Sequence, residues 1–210
     1  MSEHASEIGT LLVVTGPTRS GKTSYLIKQA VYSRIGQQDV VILGPTTGGE
    51  DLVALYGSRV DVPVVLLRPG AETIPGVIAA ISDLGEDGEA ALTRAKVVYI
   101  DNAHLCSDPR HLCEQLMLEG KKVVVAGVNL TFAGQGFGPM PDLLAQADEI
   151  LLLKAVCHYC GADATRSMCL LNDKPVPLRE SLGYKSDGHI TREPICLACF
   201  AKTYGGKLSL

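Results

Sequence analysis

The stretch Thr15-Gly16-Pro17-Thr18-Arg19-Ser20-Gly21-Lys22-Thr23 follows an apolar run, Leu11 to Val14, and precedes a helical pattern. Its skeleton is Gly16-x4-Gly21-Lys22-Thr23, in which glycines let the backbone turn so that successive N–H groups converge on phosphate oxygens. The helix that follows aims its N-terminus at the same anion. In this reading Lys22 supplies a point charge between the β- and γ-phosphates, and the Thr23 hydroxyl is a ligand of Mg²⁺. A Gly-rich turn arising by chance is the competing reading, and the strand before and helix after the loop argue against it.

Working outward, Leu26, Ile27, Ala30, Val31 and Ile35 keep a helical period that closes at Gly36. Asp39 to Leu43 and Pro63 to Leu67 read as short buried strands, with a loop at Gly44 to Gly49 and a short helical piece near Asp51 to Tyr56 between them. Pro75 to Leu84 reads as a helix, and Gly85-Glu86-Asp87-Gly88 as an exposed acidic turn. Val97 to Ile100 is an apolar strand ending in Asp101. Pro109 to Glu119 is an amphipathic helix stopped by Gly120, and Lys121 to Ala126 a further strand. Pro141 to Ala147 and Glu149 to Leu153 add a helix and a strand. Strands alternating with helices predict an α/β fold with a mainly parallel sheet covered on both faces.

A carboxylate at the end of a strand downstream of a phosphate loop is where such nucleotide enzymes hold Mg²⁺, which makes Asp101 the expected ligand; a helix-capping Asp is the competing reading. After Leu153 helical periodicity is lost, while cysteines, prolines and charges increase, so a boundary is expected there between segments 1–153 and 154–210. Cys157-x2-Cys160 and Cys196-x2-Cys199 are separated by 35 residues. Two such knuckles can present four thiolates to Zn²⁺ with no open position for catalysis, a redox pair being the competitor. The metal would pin the ends of a long excursion, Gly161 to Ile195. Cys106, Cys113 and Cys169 read as small buried hydrophobes and His158 as a surface residue.

The 210 residues carry 46% hydrophobic and 20% charged side chains and a net charge of −4, so no general attraction to nucleic acid or to an anionic membrane is expected. The basic residues after Leu153, Lys154, Arg166, Lys174, Arg179, Lys185 and Arg192, are interspersed with acids and lack an aromatic stacking platform. The polar start and the absence of a long apolar run suggest a cytoplasmic protein, where seven cysteines are not expected to form disulfides.

Taken together, these motifs resemble the type II thymidine kinases, the zinc-containing nucleoside kinase family, over nearly the whole chain. Besides the loop, the likeness rests on Phe132-x-Gly134-x-x-Phe137-Gly138-Pro139-Met140-Pro141-Asp142-Leu143-Leu144-Ala145 and on Lys154-Ala155-Val156-Cys157-x-x-Cys160-Gly161. The resemblance implies a RecA-like P-loop domain with a small four-Cys lasso domain, and transfer of the γ-phosphate of ATP-Mg²⁺ to the 5′-hydroxyl of a deoxynucleoside. It further implies a homotetramer and feedback inhibition by a triphosphate end product. Gly16, Pro17, Ser20, Gly21, Lys22, Thr23 and Ser24 would hold ATP. Thr18, Leu105, Phe132, Phe137, Ile190 and Arg192 would line the acceptor pocket, under the lasso.

Departures from the family concentrate on the acceptor side. Its strand-end motif continues Asp-Glu-x-Gln-Phe with the Glu as general base; here the run is Asp101-Asn102-Ala103-His104-Leu105. Asn102 takes no proton from a sugar hydroxyl, and His104 is the nearest replacement, with an ordinary imidazole pKa of about 6.5; an incidental histidine is the equal alternative. Thr18 stands for a usual Met and Thr131 for an Asp. The expected Asp-x-Arg is not evident around Thr46 to Asp51, and Asp187-Gly188-His189-Ile190-Thr191-Arg192 replaces Gly-Gly-x-x-x-Tyr. Two expectations follow: a kinase for a nucleoside-like acceptor other than thymidine, or a catalytically silent nucleotide-binding relative that regulates or assembles.

Overall fold

A computed structural model describes residues 8–46, 64–68, 70–83, 87–178 and 189–205. The helical piece expected at Asp51 to Tyr56 lies outside the described residues. The loop-bearing strand β1 (Leu11–Thr15) is buried along its whole length because it has a neighbour on each side, β5 (Lys122–Gly127) and β6 (Glu149–Leu152). With β2 (Val40–Pro45), β3 (Val64–Leu67) and β4 (Val97–Ile100) it forms a six-stranded parallel sheet of order β3-β2-β4-β5-β1-β6. All strand carboxyl ends therefore open on one edge, and β5 alone separates the end of β1 from that of β4. Ligands of open α/β sheets bind in such a crevice.

Alternation of side chains along the strands divides the core in two. Leu11, Val13, Val41, Leu43, Val98, Ile100, Val123 and Val125 face the helices α2 (Ile74–Ser82), α3 (Gly88–Arg94), α4 (Arg110–Leu118) and α5 (Met140–Gln146). Leu12, Val14, Ile42, Tyr99 and Val124 face α1 (Lys22–Ile35) through Leu26, Ile27 and Ala30. The expected helix cover on both faces is present. Tyr99 stays satisfied beneath α1 because its hydroxyl meets Ser33 Oγ at 3.0 Å.

One expectation is corrected at Asp87. It does not sit in a simple acidic turn but caps α3, its Oδ1 accepting the N–H of Ala90 at 3.0 Å, with Gly88 buried behind it. Glycine at the first helical position hid a segment whose Asp cap, Glu89 and terminal Arg94 all suit the helix dipole. The carboxyl end of that helix is closed from elsewhere. Lys121, expected inside a strand, precedes β5, and its buried Nζ donates to the carbonyls of Leu92 (2.7 Å) and Ala95 (3.1 Å). Lys121→Met should leave those carbonyls unpaired and lower stability by about 2 kcal/mol, read as a shift in the urea midpoint with unchanged m-value; an unchanged midpoint would refute the capping role.

Beyond Leu153 lie the hairpin β7 (Ala155–Val156) and β8 (Asp163–Ala164), and the antiparallel sheet β10-β9-β11, made of β9 (Arg166–Leu171), β10 (Lys174–Pro175) and β11 (Ile190–Ile195). Helix α6 (Leu197–Tyr204) corrects the expectation that helical structure ends at residue 153. These elements enclose a small cluster of their own: Ala155, Cys157, Ala164, Met168, Leu170, Ile195, Cys196 and Phe200. Among the described residues no helix is long and apolar enough to cross a membrane.

Candidate active site and four-cysteine centre

The loop between β1 and α1 begins where Thr15 Oγ1 donates to the Gly127 carbonyl at 3.0 Å, tying the end of β1 to that of β5. Gly16 has φ +149°, and a Cβ there would stand 2.3 Å from the Leu153 carbonyl oxygen, so only glycine fits. Gly21, at φ +85°, turns the chain into α1, whose first turn contains Thr23 and the exposed Ser24. Pro17 is buried and Ser20 half-buried. Lys22 arches back so that Nζ donates to the carbonyls of Pro17 (2.6 Å) and Gly16 (3.1 Å) and to Ser20 Oγ (3.3 Å). The cation thus sits over the loop, at the amino end of a 14-residue helix, an arrangement that attracts phosphate.

Asp101 directly follows β4, with 1% exposure. Its N–H donates to Leu43 O at 2.9 Å, and its Oδ1 accepts the N–H of Asn102 at 2.8 Å. Asn102 adopts the left-handed conformation, φ 53° and ψ 34°, which Asn tolerates better than Glu because its short side chain bonds locally. From it springs a 3₁₀ turn, Ala103–Leu105.

His104, on that turn, is half-buried, and its Nδ1 accepts the N–H of Val128 at 3.3 Å. The neutral ring therefore carries its proton on Nε2. Burial first, then the charges of Lys22 and Arg192, push its pKa down to about 3, far from the ordinary value expected from sequence. Its ring meets Phe137 edge to face at 4.8 Å, and Gly138, at φ +53°, leaves room for the His104 carbonyl, 2.5 Å from where a Cβ would be. Phe132 lies on the turn closed by the bond from Thr131 N to Gln135 O, half-buried like Leu105 and Ile190; the ring contact with His104 falls to Phe137. Asn129, just beyond β5, has a buried Oδ1 with no hydrogen-bond partner among the described residues.

Thr18, Lys22, His104 and Arg192 thus gather near the carboxyl edge of the sheet, Arg192 reaching it from β11. What sequence reasoning missed are the residues that grip the loop tip: Ser167 Oγ accepts the N–H of Thr18 at 2.9 Å, and Glu193 Oε2 accepts from Arg19 Nη1 at 2.5 Å. Partners 149 and 174 positions away leave no local signal.

The sulfurs of Cys157, Cys160, Cys196 and Cys199 lie within 4.8 Å of one another, and those of Cys160 and Cys196 are 3.7 Å apart. A tetrahedral Zn²⁺ with Zn–S of 2.3 Å spaces its sulfurs by about 3.8 Å, so the donor set fits that ion. Burial opposes ionisation of Cys157, but N–H groups of Cys196, Cys160 and Tyr159 outweigh it and bring its pKa to about 6. By contrast, burial pushes Cys106 and Cys113 up to about 12, which makes them inert thiols. His158 is exposed, as expected, and its Nδ1 lies 3.6 Å from Glu193 Oε2.

Comparison with known proteins agrees with this arrangement. The family model described as thymidine kinase matches residues 9–180. The thymidine kinase of Roseiflexus sp. (strain RS-1) is 32% identical over 196 residues, covering 91% of this chain and 95% of that protein. That of Deinococcus radiodurans is 36% identical over 171 residues, 80% of this chain and 78% of its own, and that of Chloroflexus aurantiacus (strain J-10-fl) is 35% identical over 180 residues, 82% and 84%. With a glycine-rich loop bearing Lys22 and a buried Asp101 on one sheet edge, and four clustered cysteines beyond it, this chain belongs to the thymidine kinase family.

Proposed function

We propose that the protein transfers the γ-phosphate of ATP to the 5′-hydroxyl of a nucleoside or nucleoside-like acceptor, with a preference altered from thymidine. The observation that carries this is the opening of the Lys22 loop and of Asp101 onto one crevice, one strand apart. Gly16, Pro17, Ser20, Gly21, Lys22, Thr23 and Ser24 cradle the triphosphate. Thr23 and Asp101 would hold Mg²⁺, which when bound neutralises charge on the β- and γ-oxygens. Cys157, Cys160, Cys196 and Cys199 would hold a structural Zn²⁺. We extend the reading to a division at residue 153 between nucleotide-binding and lasso parts, and to a cytoplasmic homotetramer, the oligomer on the resemblance alone.

The acceptor side is the altered one. Thr18, Leu105, Phe132, Phe137, Ile190 and Arg192 line it in this reading, and Asn102 stands where the family base would be. Phosphoryl transfer depends mainly on positioning and charge stabilisation, so loss of a base slows it by about 10² to 10⁴-fold without abolishing it. His104 is a poor substitute base: its Nδ1 is engaged with Val128 and its ring resists protonation. Its Nε2–H suits it instead to donate to an acceptor oxygen.

A pH experiment checks this. The unfolded imidazole takes up its proton near pH 6.5 and the folded one only near 3, so the unfolded state binds more protons in between. Stability should fall as pH drops through that window, and His104→Asn, which keeps an acceptor for Val128, should flatten the fall in urea titrations. The kcat/KM profile should show no His104 limb near pH 6.5; a limb there that vanishes in His104→Asn would restore the base role.

Asn102 also favours a second reading, a silent nucleotide-binding relative. Titrating the protein with ATP and Mg²⁺, and in parallel measuring ATP consumption across a panel of nucleosides, separates the two. Acceptor-dependent turnover supports the kinase; saturable ATP binding with no turnover, beside an active family member, supports the silent relative.

A further inference from the structure

The tip of the phosphate loop is held by strands far along the chain. Thr18 N–H donates to Ser167 Oγ at 2.9 Å and the Arg19 guanidinium to Glu193 Oε2 at 2.5 Å. Ser167 and Glu193 occupy neighbouring rungs of the β9/β11 ladder, where Ser167 pairs with Pro194 and Met168 with Glu193. Arg19 itself is left-handed, φ 57°, a conformation that a side-chain-bearing residue holds at an expense of about 1 kcal/mol. External contacts therefore maintain the tip.

Glu193 is the unusual partner. Its side chain is 9% exposed, whereas that of Arg19 is 63% exposed. A buried carboxylate is retained against desolvation only where cations or donors compensate it. Among the described residues Arg19 is the ion-pair partner of Glu193 on one side, and His158 Nδ1 lies 3.6 Å from its Oε2 on the other. His158 stands between Cys157 and Cys160, and its N–H donates to Pro194 O at 2.9 Å. One carboxylate thus bridges the donor loop and the first cysteine knuckle.

We propose that Glu193 is a positioning residue for donor binding: through Arg19, and beside the Ser167 bond, it holds residues 18–19 so that the loop N–H groups converge on the triphosphate, and it couples that loop to the four-cysteine centre. This rests on reading the loop as the ATP site. The coupling is reciprocal by thermodynamic necessity, so triphosphate on the loop stabilises the knuckle as much as an intact knuckle favours triphosphate.

The test uses the zinc-loaded full chain and a non-hydrolysable ATP analogue with Mg²⁺. By calorimetry, E193Q should bind the analogue about tenfold more weakly than wild type, within the usual span of coupling between sites. E193D and R19K, which keep the charges, should recover part of that affinity. In wild type, the analogue should slow transfer of zinc to a chromogenic chelator, and E193Q should remove this protection. Metal content and melting temperature of E193Q are measured in the same preparations. Equal analogue affinity in E193Q and wild type overturns the proposal, as does a loss that appears only together with loss of zinc or of the folded state. Protection that persists in E193Q overturns the coupling. Failure of wild type to bind the analogue would instead overturn the donor-site reading, and this inference with it.

Discussion

Lys22→Met should lower kcat/KM by on the order of 10³-fold or more while leaving the fold intact. The side chain is half-buried and its ammonium donates to groups of its own loop, Gly16 O, Pro17 O and Ser20 Oγ. Gly16 and Pro17 are buried, so loss of their donor should cost about 1–3 kcal/mol where water does not substitute for it, and the melting temperature should fall modestly with the fold retained. Charge stabilisation of the transferring phosphoryl group has no such substitute, because the remaining N–H groups of the loop are neutral dipoles. Coupled measurement of ATP consumption, with the acceptor found active on wild type, reads the effect. Retention of turnover to within tenfold would remove Lys22 from the donor site and leave the loop a structural turn.

The second large effect belongs to the cysteines. Cys196 joins three of the contacts that define their cluster: its N–H donates to Cys157 Sγ at 3.3 Å, its Sγ accepts from Cys199 N at 3.4 Å, and its Sγ lies 3.7 Å from that of Cys160. Among the described residues the surrounding core has eight buried members, of which Cys157 and Cys196 are two, a small core to hold a sheet and a helix by burial alone. Structural zinc contributes on the order of 10 kcal/mol to such modules. Cys196→Ser should therefore abolish stoichiometric zinc and expose residues 154–205 to proteolysis, while the parallel sheet with its separate cores persists. Mass spectrometry of limited digests and metal analysis would show this together. A protease-resistant variant lacking zinc would mean that the module folds without metal and that the cysteines serve another purpose.

Much of the fold is legible in residue patterns because each strand and helix is specified locally. The run Leu11 to Val14 is apolar at every position because β1 lies inside a parallel sheet, and the Leu26, Ile27, Ala30 spacing marks the one face that α1 buries. Helix α3 escaped notice because Gly88 reads as a breaker, although its cap, Asp87, was in plain view. Strands β9 and β11 were equally hidden, since they pair across a long excursion and their alternation is interrupted by Pro194 and charged residues.

For the site, sequence by itself determined the identity of the chemical groups: a glycine-rich loop with Lys22 and Thr23, an acid at the end of a strand, and two Cys-x2-Cys pairs with a spacing suited to a metal. These depend on neighbours within a few positions, where backbone geometry alone decides what converges. Tertiary structure decided how those groups behave. The pKa of His104 near 3 comes from burial and from Lys22 and Arg192, which are distant in the chain. The left-handed Asn102 is a turn conformation that no pattern announces. The grip of Ser167 and Glu193 on residues 18 and 19 exists only once β9 and β11 are laid against the loop. Electrostatic and hydrogen-bonded contacts act through space, so the sequence could name the groups that meet at the loop but not what they do to one another.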